Sequence, residues 1–370
     1  MRCHEGKGGL RLMRNKKNLL GGVLLLGLMG VTLFVLLREQ PISQLTQVLE
    51  ELKPGWLAVG LGLMFLFVAS EALCTRQILP RLGHRTCLRA CLGYSFVGFY
   101  FSSITPSATG GQPAQIYYMS RDGVPAAHGA LNMMLIAVCY QVVVLLYAGA
   151  AVFFRPALLE QMGGGLGILL LFGACVNLAL TAGMLCLMFL PNAARRLCGW
   201  VLTLLLKLRI VRQEEAAREK LERQLAEYRR GSECFKRNPG LVLRLLMCTA
   251  IQLTALFAVP FAVYRAFSLT GYGAAELIGT QALLTLAVSS LPLPGAVGAS
   301  EGGFVRAFTL FFGAGLVTPA VLVSRGISFY AFLLISGGVT LAVHLSHRRR
   351  ASRQAPRPKC AGQEKGPIAA

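Results

Sequence analysis

Long apolar stretches separated by short polar segments run through most of the chain. A helix needs about 20 mainly apolar residues to cross a bilayer. Six stretches suit a full crossing, at about residues 19–37, 56–74, 129–154, 166–190, 241–267 and 318–344. Two more, near 88–104 and 274–291, are shorter and end in segments rich in glycine and proline. The pattern predicts an all-α polytopic membrane protein with about six full transmembrane helices and two re-entrant broken helices.

The composition agrees with this fold class. Of the 370 residues, 55% are hydrophobic and 14% are charged, and the mean hydropathy is +0.58. A soluble domain carries about 25% charged residues, so a soluble globular class is excluded. The eleven cysteines include no CxxC pair, which is typical of reduced cysteines that serve packing.

The net charge of +21 is concentrated in four segments: the N-terminal arm, residues 76–89, residues 195–237, and the tail from Arg348. Alternation of the predicted spans places all four on one side of the membrane. The positive-inside rule identifies that side as the cytoplasm. We therefore predict that both termini are cytoplasmic and that the basic residues face anionic lipids, with no nucleic acid bound directly.

These observations divide the chain into five parts. The predicted parts are a basic cytoplasmic arm (1–18), a first membrane half (19–190) with a re-entrant element near 88–120, cytoplasmic amphipathic and charged helices (191–238), a second membrane half (239–346) with a re-entrant element near 274–313, and a disordered basic tail (347–370). Because the two re-entrant elements enter from opposite sides, we predict an inverted-repeat arrangement.

The two glycine- and proline-rich segments, 104–113 and 291–301, share one pattern. In each, a proline is followed four residues later by a glycine: Pro106 and Gly110, then Pro294 and Gly298. Backbone freed from a helix cannot face lipid, since each unpaired group costs several kcal/mol there. Transporters place such breaks around their substrates. We expect the two breaks to meet in a polar cavity; the alternative is that both are packing kinks.

The side chains around the breaks suit an anionic head group. Either Ser107 or Thr109 is expected to cap the first returning helix, with Pro113 in its first turn. In the second, Ser300 is expected to be the cap and Glu301 to follow it. Helix N-termini favour a phosphate, and glycines let backbone approach a ligand closely. The candidate substrate-binding residues are Pro106, Thr109, Gly110, Gly111, Gln112, Gln115, Pro294, Gly295, Gly298, Ser300, Glu301 and Arg325.

Charged residues within the spans are functional suspects because burying them in lipid is expensive. Arg325 lies well inside the last span; it can pair with Glu301 in an empty site and with a phosphate in an occupied one, the alternative being a purely structural pair. Four other charged residues lie nearer span ends, where interface anchoring explains them more simply: Glu71, Arg265, Glu276 and Arg306. Further amides suit hydrogen bonds between helices: Gln141, Asn177 and Gln252.

The sequence contains neither GxxxxGK[ST] nor HExxH, and GASEG, residues 298–302, matches the letters of GxSxG without the preceding strand that a nucleophile elbow needs. We therefore expect no catalytic residue, no metal site and no cofactor.

The segment from Phe99 to Gly123, FYFSSITPSATGGQPAQIYYMSRDG, resembles a signature of the lysylphosphatidylglycerol synthase transmembrane family, the flippase-like domain of the multiple peptide resistance factor. LPLPGAVGASE, residues 291–301, resembles the second signature, and Arg325 with Tyr330 is similar to a stretch of the family's last helix. The resemblance covers about residues 15–345. Many members carry an acidic residue and an arginine where Gln112 and Gln115 stand here, which implies a different head-group preference.

The resemblance implies flippase-like translocation of phospholipid, such as aminoacylated phosphatidylglycerol, across the bacterial inner membrane. The implied partners are the membrane, an anionic or aminoacylated phospholipid, and a separate soluble aminoacyltransferase. Longer family members add a soluble aminoacyltransferase domain, for which the residues after His347 leave no room. Two alternatives stay open: a phosphatidylglycerol lysyltransferase or its membrane component, which would confer resistance to cationic peptides, and a carrier for a small polar solute.

Overall fold

The structure is a computed structural model and describes residues 50–157, 165–190, 195–196, 199–200, 203, 214–236, 238–289, 291 and 296–354. The principal helices in these residues are α1 (Pro54–Ile78), α2 (Leu88–Ile104), α3 (Gly111–Arg121), α4 (Ala126–Phe154), α5 (Gly165–Phe189), α6 (Glu214–Lys236), α7 (Pro239–Phe257), α8 (Val259–Ala266), α9 (Ala274–Val288), α10 (Ala299–Arg325) and α11 (Phe332–Gln354). A 3₁₀ turn, Leu79–Leu82, extends α1, and a π-helical segment, Gly326–Ala331, joins α10 to α11.

Five segments are long and apolar enough to span a membrane: Pro54–Leu82, Ala126–Phe154, Gly165–Met188, Pro239–Ala266 and Ala299–His347. They match five of the six predicted spans, and the sixth, near 19–37, lies outside the described residues. The predicted fold class, an all-helical polytopic membrane protein, is therefore confirmed.

The last of these segments contains two successive helical parts. Its 49 residues would extend about 74 Å at 1.5 Å per residue, against a hydrocarbon core of about 30 Å. Gly313 interrupts it with a φ of 72° and a ψ of 163°, a conformation open mainly to glycine. The part before Gly313 is the return of the second broken helix, and the part after it is the last span, as predicted.

The first broken helix returns to the side from which it starts. Helices α2 and α3 pack against each other along their lengths. The hydroxyl of Tyr94, in the second turn of α2, donates a 2.6 Å hydrogen bond to Oδ2 of Asp122, directly after α3. The end of α3 therefore lies beside the first half of α2, and residues 88–121 form a re-entrant hairpin.

The second broken helix also forms a hairpin. The ring of Tyr272, just before α9, lies 4.9 Å from that of Phe311, near the end of the returning part of α10. Phe312 also packs at 5.5 Å against Tyr264 of α8. Residues 274–312 therefore leave and regain the same side.

The two hairpins start at opposite ends of α1. The N–H of Lys53, just before α1, donates to the carbonyl of Ala266 at 3.1 Å, which places the start of α1 beside the segment that leads into α9. The other end of α1 leads through Leu82 into α2. The tips meet between them, where Ile104 of the first hairpin packs against the cluster formed by Val297 of the second hairpin and Phe329.

Outside the bilayer-crossing part, α6 packs against α4. Leu225 is buried and the hydroxyl of Tyr228 reaches the sulfur of Met134 at 3.5 Å. The basic arm, most of residues 191–213 in the predicted cytoplasmic helices and residues 355–370 lie outside the described residues. Within the predicted tail, α11 continues to Gln354.

Candidate functional site

A cavity of about 560 Å³ lies where the tips of the two hairpins meet. The first break contributes Ser107 and Ala108 to its wall, and the second contributes Leu291 and Ala296. Helices α1, α2, α3, α4, α5 and α9 and the π-helical segment supply the rest of the described wall. The two breaks thus line one shared cavity. Two unrelated packing kinks would not need to lie at the same cavity.

The described wall of the cavity is mainly apolar in surface but includes many polar side chains. Its polar members come from seven different segments and include Glu71, Ser102, Gln112, Gln115, Tyr140, Gln141, Asn177, Ser289 and Ser328. The amide of Asn177 on α5 donates to Oγ of Ser289 at the end of α9 at 3.2 Å, which ties two of these segments together. Polar groups at membrane depth need partners, so a cavity of this kind suits water and a polar ligand group.

Two residues of the first break adopt left-handed backbone conformations: φ is 50° at Ser107 and 54° at Ala108. Such conformations cost about 1–2 kcal/mol each for residues with a Cβ. They reverse the chain within a few residues, so that α3 can return beside α2.

The predicted caps of α3 are wrong. Oγ1 of Thr105 accepts the N–H of Gly110 at 2.9 Å, while Oγ1 of Thr109 donates to the carbonyl of Pro106 at 2.9 Å. The N-cap residue of α3 is Gly110, and neither Ser107 nor Thr109 caps the helix with its side chain. Pro113 does lie in the first turn of α3, as predicted.

The paired glycines of the first break allow α2 and α3 to pack closely. A Cβ on Gly111 would overlap Oγ of Ser102 and would lie 2.7 Å from the carbonyl oxygen of Gly98. A Cβ on Gly110 would lie 2.6 Å from the methyl group of Thr105. Helix packing therefore accounts for both glycines, and their predicted approach to a ligand stays a prediction.

The two glutamines of α3 have different surroundings. Gln112 is exposed and lines the cavity. Gln115 is 5% exposed, lines the same cavity, and donates from Nε2 to Oε1 of Glu71 on α1 at 2.9 Å. Gly98 of α2 makes this contact possible, because a Cβ there would overlap Nε2 of Gln115 and lie 2.6 Å from its Cδ.

The assignment of Glu71 to interface anchoring is wrong. The span was expected to end near residue 74, whereas α1 and its 3₁₀ extension continue to Leu82, so Glu71 lies in the interior of the crossing and faces the cavity. The sequence offered one signal, an acidic residue inside an apolar stretch, but the misplaced end of the span obscured it.

Glu301 and Arg325 form an ion pair in the second hairpin. Nε of Arg325 lies 2.8 Å from Oε1 of Glu301, and the side chains are 15% and 3% exposed. The other carboxylate oxygen accepts the N–H of Gly298 at 2.7 Å. Glu301 therefore caps α10 from its first turn, and Ser300 is not the cap; Pro294 and Gly295 lie outside the described residues.

The Glu301–Arg325 pair lies behind the described wall of the cavity. Neither residue lines the cavity, whereas Phe329 does. The guanidinium of Arg325 lies 4.6 Å from the centre of the Phe329 ring. Phe329 belongs to the π-helical segment Gly326–Ala331, a type of distortion that often marks functional sites. The predicted contact of Arg325 with a phosphate would require Phe329 to move aside, and it stays a prediction.

The fold and the cavity define a multi-pass helical membrane protein whose two re-entrant hairpins enclose a polar cavity. The chain belongs to the family described as the lysylphosphatidylglycerol synthase TM region, whose model matches residues 18–336. No curated protein matches the sequence.

Proposed function

We propose that the protein moves a phospholipid between the leaflets of the bacterial inner membrane. The head group occupies the cavity between the hairpin tips, while the acyl chains stay in the surrounding lipid. The observation that carries the proposal is the cavity itself, lined by breaks of two hairpins that start at opposite ends of α1. Rocking of one half against the other would open it to each leaflet in turn.

Head-group binding is assigned to the residues at the breaks. The first turn of α3 and the side chain of Gln112 face a phosphate. Arg325 and Glu301 act from behind Phe329, so they set the position of the second break and, after a change in that wall, reach the head group. The predicted anionic or aminoacylated lipid, including aminoacylated phosphatidylglycerol, is the substrate class that we assign.

Leaflet exchange of fluorescent phospholipid in proteoliposomes tests the proposal. Ala137→Trp places a bulky ring in the cavity wall, and Ala150→Trp places the same ring on the exposed side of the same helix, α4. Filling the cavity should slow exchange at least about tenfold, a barrier change of about 1.4 kcal/mol, while the exposed variant should exchange lipid as the unaltered protein does. Equal exchange in both variants contradicts the proposal.

The family description favours one second candidate, a membrane component of lysylphosphatidylglycerol synthesis that works with a separate soluble aminoacyltransferase. Incubation of the purified chain with labelled lysyl-tRNA and phosphatidylglycerol, with and without such a partner, separates the two. If the chain alone forms lysyl-lipid, it is an enzyme and the transporter proposal is replaced. If lysyl-lipid forms only when the partner is added, the chain takes part in synthesis as well as in the proposed translocation. Cytoplasmic termini are expected in either case.

A further inference from the structure

We propose that Glu71 and Gln115 form a binding site for a monovalent cation in the wall of the cavity. The ligand is a singly charged cation that carries N–H donors or accepts oxygen ligands, supplied either as a primary ammonium group or as Na⁺ from solution. The site goes beyond lipid translocation, because the cation can bind whether or not a lipid moves.

The first argument is the charge of the cavity. Glu71 is the charged residue in the described wall, which includes no lysine, arginine or histidine side chain. A carboxylate in a largely apolar protein interior is costly unless a positive charge or several donors compensate it. Gln115 supplies one donor, and the side chain of Gln252 on α7 lies within reach of the same carboxylate. Two neutral amides supply donors but no positive charge, so a cation bound beside Glu71 would compensate the carboxylate.

The second argument is an unpaired acceptor next to the carboxylate. Oε1 of Gln115 is buried and has no hydrogen-bond partner among the described residues, although the residue lines the cavity. The amide is oriented with Nε2, and not the oxygen, against Oε1 of Glu71, as an ionised carboxylate requires. A buried acceptor without a partner costs about 1–3 kcal/mol, and a bound cation satisfies both this oxygen and the carboxylate.

The third argument is that the site is held in place. Gln115 crosses the gap left by Gly98, where a Cβ would lie 2.6 Å from its Cδ, and so it joins α3 to α1 across α2. A side chain confined in this way keeps its amide group beside Glu71 without further loss of entropy on binding. The carboxylate in the cavity wall and the buried amide oxygen are the two ligands that we assign to the cation.

Thermal unfolding of the full chain, purified in an uncharged detergent, tests the site without any transport assay. Sodium chloride, ethanolammonium chloride and choline chloride are titrated at constant ionic strength. Choline serves as the reference because its quaternary nitrogen has no N–H donor. We expect sodium or ethanolammonium to raise the midpoint relative to choline, and the more effective of the two identifies the source of the cation.

Two variants and one control make the result specific. Glu71→Gln keeps the shape of the side chain. The cation concentration needed for a given rise of the thermal midpoint should increase at least about tenfold, as expected for the loss of a charged partner. Gln115→Leu removes the unpaired oxygen and should raise that concentration less. Glu276→Gln is the matched control. Glu276 forms an ion pair with Arg155, with 3.4 Å between Oε1 and Nη1, and neither residue lines the cavity. The absence of any difference from choline, or an equal response in Glu71→Gln and the unaltered protein, would overturn the proposal.

Discussion

Replacing Gly98 by alanine should expel the side chain of Gln115 from its place beside Glu71. The added Cβ would overlap Nε2 of Gln115. A small rotation of the amide does not remove the clash, because Cδ of Gln115 would also be only 2.6 Å away. The hydrogen bond to the carboxylate, 2.9 Å long, is then lost. A hydrogen bond to a charged group contributes about 1.5–3 kcal/mol, and alanine regains about 1 kcal/mol of helix propensity. The net destabilisation should be about 0.5–2 kcal/mol.

The assay is the apparent thermal midpoint of the purified protein, with Gly62→Ala as the matched control. Gly62 is an interior helical glycine of α1 with nothing within 4 Å of an added Cβ. That variant should be neutral or slightly more stable, whereas Gly98→Ala should be less stable. In a Gln115→Ala background Gly98→Ala should no longer destabilise the protein and should be neutral or slightly stabilising, like Gly62→Ala, since the clashing side chain is gone. Equal midpoints for the two glycine variants, or no rescue in the double variant, would refute the reasoning.

The other predictions concern the second hairpin and its neighbours. Arg325→Leu should destabilise the protein by about 3–5 kcal/mol, because it leaves the buried carboxylate of Glu301 without its partner, and Arg325→Leu with Glu301→Gln should recover part of that loss in the same thermal assay. Recovery of nothing would show that the pair is not the cause. Gly173→Ala should cost about 1–3 kcal/mol, since its Cβ would overlap the backbone of Leu286, while Gly183→Ala on the same helix should be neutral. Similar midpoints for both would contradict this packing.

The spans and the breaks could be predicted from the sequence because they depend on local properties. Length and hydropathy identify a crossing helix, and a proline with nearby glycines interrupts one. The hairpin 88–121 and the kink at Gly313 follow from such signals. The pairing of Arg325 with Glu301 was also accessible, because a buried charge needs a partner.

The caps and the cavity wall depend on backbone geometry that the sequence does not specify. Ser107 and Ala108 take left-handed conformations, and the chain then turns so that Thr105 receives the N–H of Gly110. The role of Glu71 depends on how far α1 continues beyond residue 74. Only the packed structure reveals that Gln115 reaches Glu71 past a glycine of α2.

The meeting of the two hairpin tips is the claim on which the site, its proposed function and the cation site depend. Disulfide cross-linking in a cysteine-free background tests it directly, with cysteines at Ile104 and Val297, which belong to one hydrophobic cluster with Phe329. This pair should cross-link efficiently in membranes, whereas Leu88→Cys at the far end of α2 should not link to the cysteine at Val297. A tip pair that fails to link, or a control pair that links as well, would contradict the account.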